Sequence, residues 1–323
     1  MPAKQPCVSA IVPNYNHARF LRRRLESVLG QTFGDFELIV LDDASTDDSR
    51  EVIAPFLRNP RVRFHPADRN SGSPFVQWNR GVQLARGEFV WLAESDDFAA
   101  PQLLETLVSL LRANPRAALA YCQSLRVDAD DLVIGSLADY TADLEATRWQ
   151  RPFVNDGRDE CGRFLLWKNT IPNASAVVFR REAYLRAGGA PLDLRLSGDW
   201  LAWARLLLQG DIAFTPEPLN YFRQHPSTVR AATSLRQLQE ESWRVQRFIL
   251  RHGRAPAGAR EQIALKVYYG LLDRFDHSPR DTRWRELSRG LAAGGPLLAG
   301  APLKIGRALL RKIRASTRTA AAN

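Results

Sequence analysis

Through the first third of the chain, short unbroken apolar runs alternate with stretches whose apolar residues recur at helical spacing. Residues 8–12 (VSAIV) read as a buried strand stopped by Pro13, and 36–41, 62–65 and 89–93 read as further strands. Leu21, Leu25, Val28 and Leu29 share one face of a helix over 18–29 that Gly30 stops, which leaves Arg22, Arg23 and Arg24 to a solvated surface. Ser45 or Thr46 can cap a second helix running to Leu57. Phe75, Trp78, Val82 and Ala85 define a third helix closed by Gly87, and Leu103, Leu104, Leu107 and Leu111 a fourth over 101–111, before a strand at 117–121. This βαβα rhythm predicts an α/β fold with a doubly wound, mostly parallel sheet flanked by helices.

Residues 125–173 are irregular and mixed in charge, as in a substrate-side region of loops and short elements. Order returns with a strand at 175–179, a helix over 181–187 ended by Gly188-Gly189, and a helix opened by Ser197-Gly198-Asp199-Trp200. Strands at 212–214 and 219–223 precede His225. From residue 234 the pattern is helical, with Trp243, Val245, Phe248 and Ile249, then Ile263, Val267, Tyr268 and Leu271, directed inward.

Two of the predicted strands end in acids: 36–41 in Asp42-Asp43, and 89–93 in Glu94, Asp96 and Asp97. In doubly wound sheets ligands sit beyond the carboxyl ends of the strands. Three neighbouring carboxylates repel one another unless water, a cation or basic groups compensate, and hard oxygen donors favour Mg²⁺ or Mn²⁺ over zinc. On these residues alone a second reading stands beside the first, in which Asp96 or Asp97 caps the helix that Pro101 helps to start. Pro13-Asn14-Tyr15-Asn16 follows the first strand where a dinucleotide-binding protein carries glycines, and no P-loop pattern occurs. Hydride-transfer and P-loop ATPase chemistry are therefore disfavoured.

Composition adds limits. The 323 residues are 45% hydrophobic, ample for a large core, and the three cysteines, Cys7, Cys122 and Cys161, lack metal-type spacing. Reduced thiols in a cytoplasmic setting are expected. Residues 1–6 show no apolar leader, and no run reaches the roughly 18 apolar residues of a membrane span. The net charge is +10. Much of the excess lies in 304–318, where Lys304, Arg307, Arg311, Lys312, Arg314 and Arg318 alternate with Ile305, Ala308, Leu309 and Ile313. That pattern describes a basic amphipathic helix suited to an anionic membrane surface, or a solvated tail. It lacks the interleaved aromatics of an RNA-binding segment, so nucleic acid is not an expected partner.

Taken in order, the motifs resemble a family 2 glycosyltransferase with the GT-A fold over roughly residues 7–225. They are residues 8–16 (VSAIVPNYN), 27–33 (SVLGQTF), 36–43 with 44–47 (ASTD), 87–97, Gly198-Asp199-Trp200, and 219–225 (LNYFRQH). The resemblance implies transfer of a sugar, with inversion, from a UDP- or dTDP-sugar to the hydroxyl of a saccharide or lipid-linked saccharide in cell-surface polysaccharide or glycolipid synthesis. It implies that 1–112 form the donor-binding half, 113–230 the acceptor-binding and catalytic half, and 231–323 a helical extension. Glu94-Ser95-Asp96-Asp97 stands at the family's DxD position, with Glu94 for the usual first Asp. Asp96 and Asp97 then supply the metal and ribose contacts, Glu94 lies beside the nucleotide, and His225 lies near the diphosphate or metal. Asp43 accepts a hydrogen bond from the base, with Pro13 and Tyr15 as the base wall. Asp199 is the general base, with Gly198 where the family has Glu, and Trp200 lies on the acceptor side. Mg²⁺ or Mn²⁺ is the expected cofactor, and the inner face of the cytoplasmic membrane the expected place. A non-catalytic nucleotide-sugar-binding or scaffolding protein is the alternative.

Overall fold

In the computed structural model, which describes residues 5–225, 234–279 and 281–300, the chain begins with parallel strands joined by helices. In order these are β1 (Val8–Asn14), α1 (Ala18–Leu29), β2 (Phe36–Asp42), α2 (Ser49–Ile53), β3 (Val62–Pro66), α3 (Pro74–Leu84) and β4 (Phe89–Leu92). A short β5 (Phe98–Ala99) precedes α4 (Leu103–Ala113) and β6 (Ala117–Val127). Then come β7 (Val133–Ser136), β8 (Phe153–Asn155), α5 (Gly157–Glu160), β9 (Val177–Arg180), α6 (Arg181–Arg186), α7 (Gly198–Leu207) and β10 (Asp211–Arg223). Three helices follow, α8 (Leu235–His252), α9 (Ala259–His277) and α10 (Arg283–Gly294).

The strands form one sheet in the order β3-β2-β1-β4-β9-β6-β10-β5, with β7 beside β6 and β8 beside β10. β1 pairs in parallel with β2 and β4, β2 with β3, and β6 with β10. Antiparallel pairing enters where β9 runs between β4 and β6 and through the short strands, so the sheet is mixed. Register aligns Asn14 with Asp42 and Ile11 with Leu92. The segments leaving β1, β2 and β4 therefore emerge on one edge.

Alternation along each strand feeds two cores. Val8, Ala10 and Val12 join Leu21, Leu25, Leu104 and Leu107 on one face of the sheet. Ile11 joins Phe75, Trp78, Trp203 and Trp243 on the other. Burial on both faces explains why these strands read as unbroken apolar runs.

Several expectations needed adjustment. Pro13 does not stop β1, which runs on to Asn14. The Ile11 carbonyl faces β4, so Pro13, two residues on, faces the same way, where β4 has already ended. Its missing N–H costs no ladder bond. The strands expected at 212–214 and 219–223 are one strand, β10, whose register slips between Thr215 and Asn220 around Pro216 and Pro218. The helix expected to reach Leu57 is α2 followed by a 3₁₀ turn over Ala54–Arg58 that contains Pro55. Arg24 is fully buried: at three residues from Leu21 and four from Val28 it shares the inward face of α1. All three cysteines are free thiols. Among the described residues no helix is long and apolar enough to cross a membrane. The basic segment 304–318 lies outside the described residues.

Candidate active site

At the edge, the loops after β1 and β2 are stitched together. Asn14 Nδ2 donates to Asp42 Oδ1 and to Ser45 Oγ, both at 3.1 Å, and the Thr46 amide donates to Asn16 Oδ1 at 2.7 Å. Asn16 and Ala44 take left-handed φ values of 55° and 59° to make this fit. Pro13 is buried in β1, while the Tyr15 ring is 43% exposed on the edge and so is no core aromatic. Asp43 is buried and accepts from the Ser71 hydroxyl at 2.7 Å, the Ser71 amide and Gln77 Nε2 at 2.6 Å. It orders the 70–77 segment beneath the edge. Neither Ser71 nor Gln77 stands out in the residue pattern as a partner of Asp43.

The loop after β4 divides its three acids. Glu94 accepts from the Trp78 indole at 2.6 Å, and its own amide and carbonyl are held by Ser175 Oγ and Arg24 Nε. Loss of solvent, then the neighbouring charge of Asp96, pushes its carboxyl up to about 8. Asp96 meets His225 Nε2 at 3.0 Å. Burial works to raise the Asp96 carboxyl, but the His225 hydrogen bond and the two imidazoles outweigh it and hold it low. Asp97 turns the other way. Its Oδ1 accepts from the Arg223 amide at 2.9 Å, and its Oδ2 from Ser175 Oγ at 2.7 Å and Asn173 Nδ2 at 3.0 Å. With the Arg24 guanidinium 3.9 Å away and 2% exposure, Asp97 anchors the loop from within. Asp97, expected among the metal ligands, thus has both carboxylate oxygens engaged by protein donors, whereas Asp96 faces the two histidines.

Arg223 also belongs to this scaffold. It is 1% exposed, donates from Nε to the Asp96 carbonyl at 2.7 Å and from Nη1 to the Asp128 carbonyl at 2.6 Å, and pairs with Asp131. Its guanidinium lies 4.6 Å from the Phe20 ring centre.

What Asp96 keeps company with is a pair of imidazoles. Donor atoms of His17, Asp96 and His225 lie within 4.8 Å of one another, the one such group of three among the described residues. Around a divalent ion with bonds of about 2.1 Å, donors stand about 3.0 Å apart when adjacent and about 4.2 Å when opposite. Asp96 and His225, hydrogen-bonded at 3.0 Å, already stand at the first value, while the 4.8 Å bound on the set exceeds the second, so an ion would replace that hydrogen bond and draw the three donors closer. His17, at the start of α1, was missed. A histidine directly after the edge loop of β1 was the available signal.

Asp199 stands half-buried in the first turn of α7. Its Oδ2 accepts from Asn169 Nδ2 at 2.9 Å and its Oδ1 from the Trp200 amide at 2.7 Å. A side chain at Gly198 would begin 2.3 Å from the Phe75 ring, which occupies the space. Phe75 meets Trp78 edge to face at 5.1 Å, and Trp78 holds Glu94, so two rings link the start of α7 to the acidic loop. Trp200 offers no platform: it is 7% exposed and its indole donates to the Leu165 carbonyl at 2.9 Å. From α8, Glu241 accepts from the amides of Arg195, Leu196 and Ser197 and so fixes the approach to Asp199.

The family model described as glycosyl transferase family 2 matches residues 9–186. An uncharacterized glycosyltransferase of Nostoc sp. is 28% identical over 316 residues, 91% of this chain and 90% of that protein. The structure of S. aureus TarS 1–349 in complex with UDP-GlcNAc superimposes with a TM-score of 0.70 at 16% identity, over 92% of this chain and 82% of that one. A mannosyltransferase from Pyrobaculum calidifontis, in complex with GDP-Man and Mn²⁺, gives 0.60 at 19% identity, over 98% and 82%.

Proposed function

Because the chain belongs to glycosyl transferase family 2 and has the GT-A fold, we propose that it is a metal-dependent, inverting glycosyltransferase that takes its sugar from a UDP- or dTDP-linked donor. The observation that carries this is the meeting of Asp96 with His17 and His225 at the sheet edge, beside the loop that exposes Tyr15, with the start of α7 packed against Phe75 and Phe75 against Trp78, which holds Glu94. The nucleotide base lies against the exposed Tyr15 at the rim of the edge. Asp96 and His225 hold a divalent cation, whose chemistry is to neutralise the charge of the departing diphosphate. Glu94, fixed by the Trp78 indole that donates to its carboxyl, lies beside the ribose.

Inversion requires a single base. Asp199 takes the proton of the acceptor hydroxyl while that oxygen bonds to the anomeric carbon, and the bond from that carbon to the diphosphate oxygen breaks with its electron pair leaving on the diphosphate. Asn169 orients the carboxylate from behind. The acceptor is a saccharide or lipid-linked saccharide, met by the 113–230 half of the chain, with 304–318 as an attachment to the cytoplasmic face of the membrane. A panel of nucleotide-sugars tested with Mn²⁺ or Mg²⁺ for donor hydrolysis and transfer, with product configuration read by NMR, tests the reading. Retained configuration, or full transfer by Asp199→Asn, would overturn it.

A further inference from the structure

The cation assigned above to Asp96 and His225 has a third protein donor within reach, and it comes from a different part of the chain. His17 ends the β1 loop and opens α1, with its carbonyl accepting from the Phe20 and Leu21 amides at 2.9 and 3.0 Å, so the backbone that carries it is fixed. Its Nδ1 lies 2.8 Å from the hydroxyl of Ser95, a residue 2% exposed inside the acidic loop itself. In the tautomer whose Nδ1–H donates to that hydroxyl, the lone pair is on Nε2. Metal-binding imidazoles are commonly oriented by such a bond from the other ring nitrogen. The His17 and His225 rings stand edge to face, 5.6 Å between centres at 89°, and donor atoms of both lie within 4.8 Å of the Asp96 carboxylate.

We infer that His17 is a ligand of the active-site cation and sets its identity, favouring Mn²⁺ and Co²⁺ over Mg²⁺. The inference rests on the metal-dependent reading of the site. Its chemical basis is the change from an all-oxygen set to one carboxylate and two imidazoles. Imidazole nitrogen binds later first-row ions better than it binds Mg²⁺, whose preferred partners are carboxylates, carbonyls and water, and affinity rises from Mn²⁺ to Co²⁺. Removing one of two imidazoles therefore weakens Mn²⁺ and Co²⁺ while leaving Mg²⁺ nearly untouched.

The experiment is titration of the full chain with Mn²⁺ followed by electron paramagnetic resonance, with Mg²⁺ as competitor, on the wild type, His17→Ala, His17→Gln and Asp96→Asn, each first checked for an unchanged melting temperature. The expected result is a ten- to hundredfold loss of Mn²⁺ affinity in both His17 variants, with Mg²⁺ affinity changed less than threefold, and an altered visible spectrum of the Co²⁺ form. Ser95→Ala should show a smaller loss in the same direction. Mn²⁺ affinity within twofold of wild type and an unaltered Co²⁺ spectrum in both His17 variants, with binding lost in Asp96→Asn, would overturn the role of His17 and leave the site standing. Failure of the wild type to bind Mn²⁺ at all would overturn both.

Discussion

Glu241 offers the most demanding test of how the C-terminal helices serve the site. Its carboxylate, 6% exposed on α8, accepts from the Arg195, Leu196 and Ser197 amides at 3.1, 2.8 and 2.8 Å and from Gln237 Nε2 at 3.0 Å. Glu241→Ala strands three backbone donors. At about 1–3 kcal/mol for each donor left without a partner, the ceiling is about 9 kcal/mol, but water entering the vacated space recovers part of it, and about 3–5 kcal/mol is expected. Glu241→Gln keeps one acceptor oxygen and should cost about 1–2 kcal/mol. The assay is urea unfolding alongside steady-state kinetics. In Glu241→Gln the loosened 195–197 backbone displaces Asp199 two residues on, so kcat should fall at least tenfold while the KM for the donor stays within twofold. A loss in Glu241→Ala below about 1 kcal/mol, or a defect confined to donor binding, would show that Glu241 does not hold the 195–197 backbone in place for Asp199.

Gly198→Ala places a methyl 2.3 Å from the Phe75 ring and should cost about 1–3 kcal/mol, relieved by adding Phe75→Leu; a melting curve equal to wild type would contradict the packing. Asp97→Asn should lower the thermal midpoint through its hydrogen bonds to Arg223, Ser175 and Asn173, yet leave Mn²⁺ affinity closer to wild type than Asp96→Asn does, as measured by titration. For Glu37, burial works to raise the carboxyl, but hydrogen bonds from Arg86, Ser9 and Arg63 outweigh it and hold it below its ordinary 4.5. A depressed acid stabilises the fold above its unfolded value and loses that contribution as pH falls through the folded one. Urea midpoints of wild type and Glu37→Gln should therefore converge as pH drops below about 4.5 and differ at pH 7.

The parallel half of the fold was legible because β1, β2 and β4 are buried on both faces and read as continuous apolar runs, while α1, α3 and α4 carry clean helical stripes. Residues 125–173 were not, since β7 is largely exposed and β8 is only three residues long. Local pattern also misplaced Arg24, whose burial is made tolerable by Glu94, Ser175 and Asp97, all distant in sequence. The acids after β4 were visible as a cluster, but their division was not. Asp96 and Asp97 are chemically alike and adjacent, and only the sheet shows that one faces two histidines while the other faces Arg223, Ser175 and Asn173. Asp199 could be placed at a helix start, whereas the burial of Trp200 depends on a contact with the Leu165 carbonyl across the core.

The central claim is that the edge built on Asp96 binds a nucleoside diphosphate through a divalent cation. Calorimetric titration of UDP into the full chain, with Mn²⁺ and then with EDTA, tests it most directly when repeated on Asp96→Asn. Binding should require Mn²⁺ and fall at least a hundredfold in Asp96→Asn, about 2.7 kcal/mol. Binding of equal strength in EDTA, or undiminished in Asp96→Asn, would contradict it.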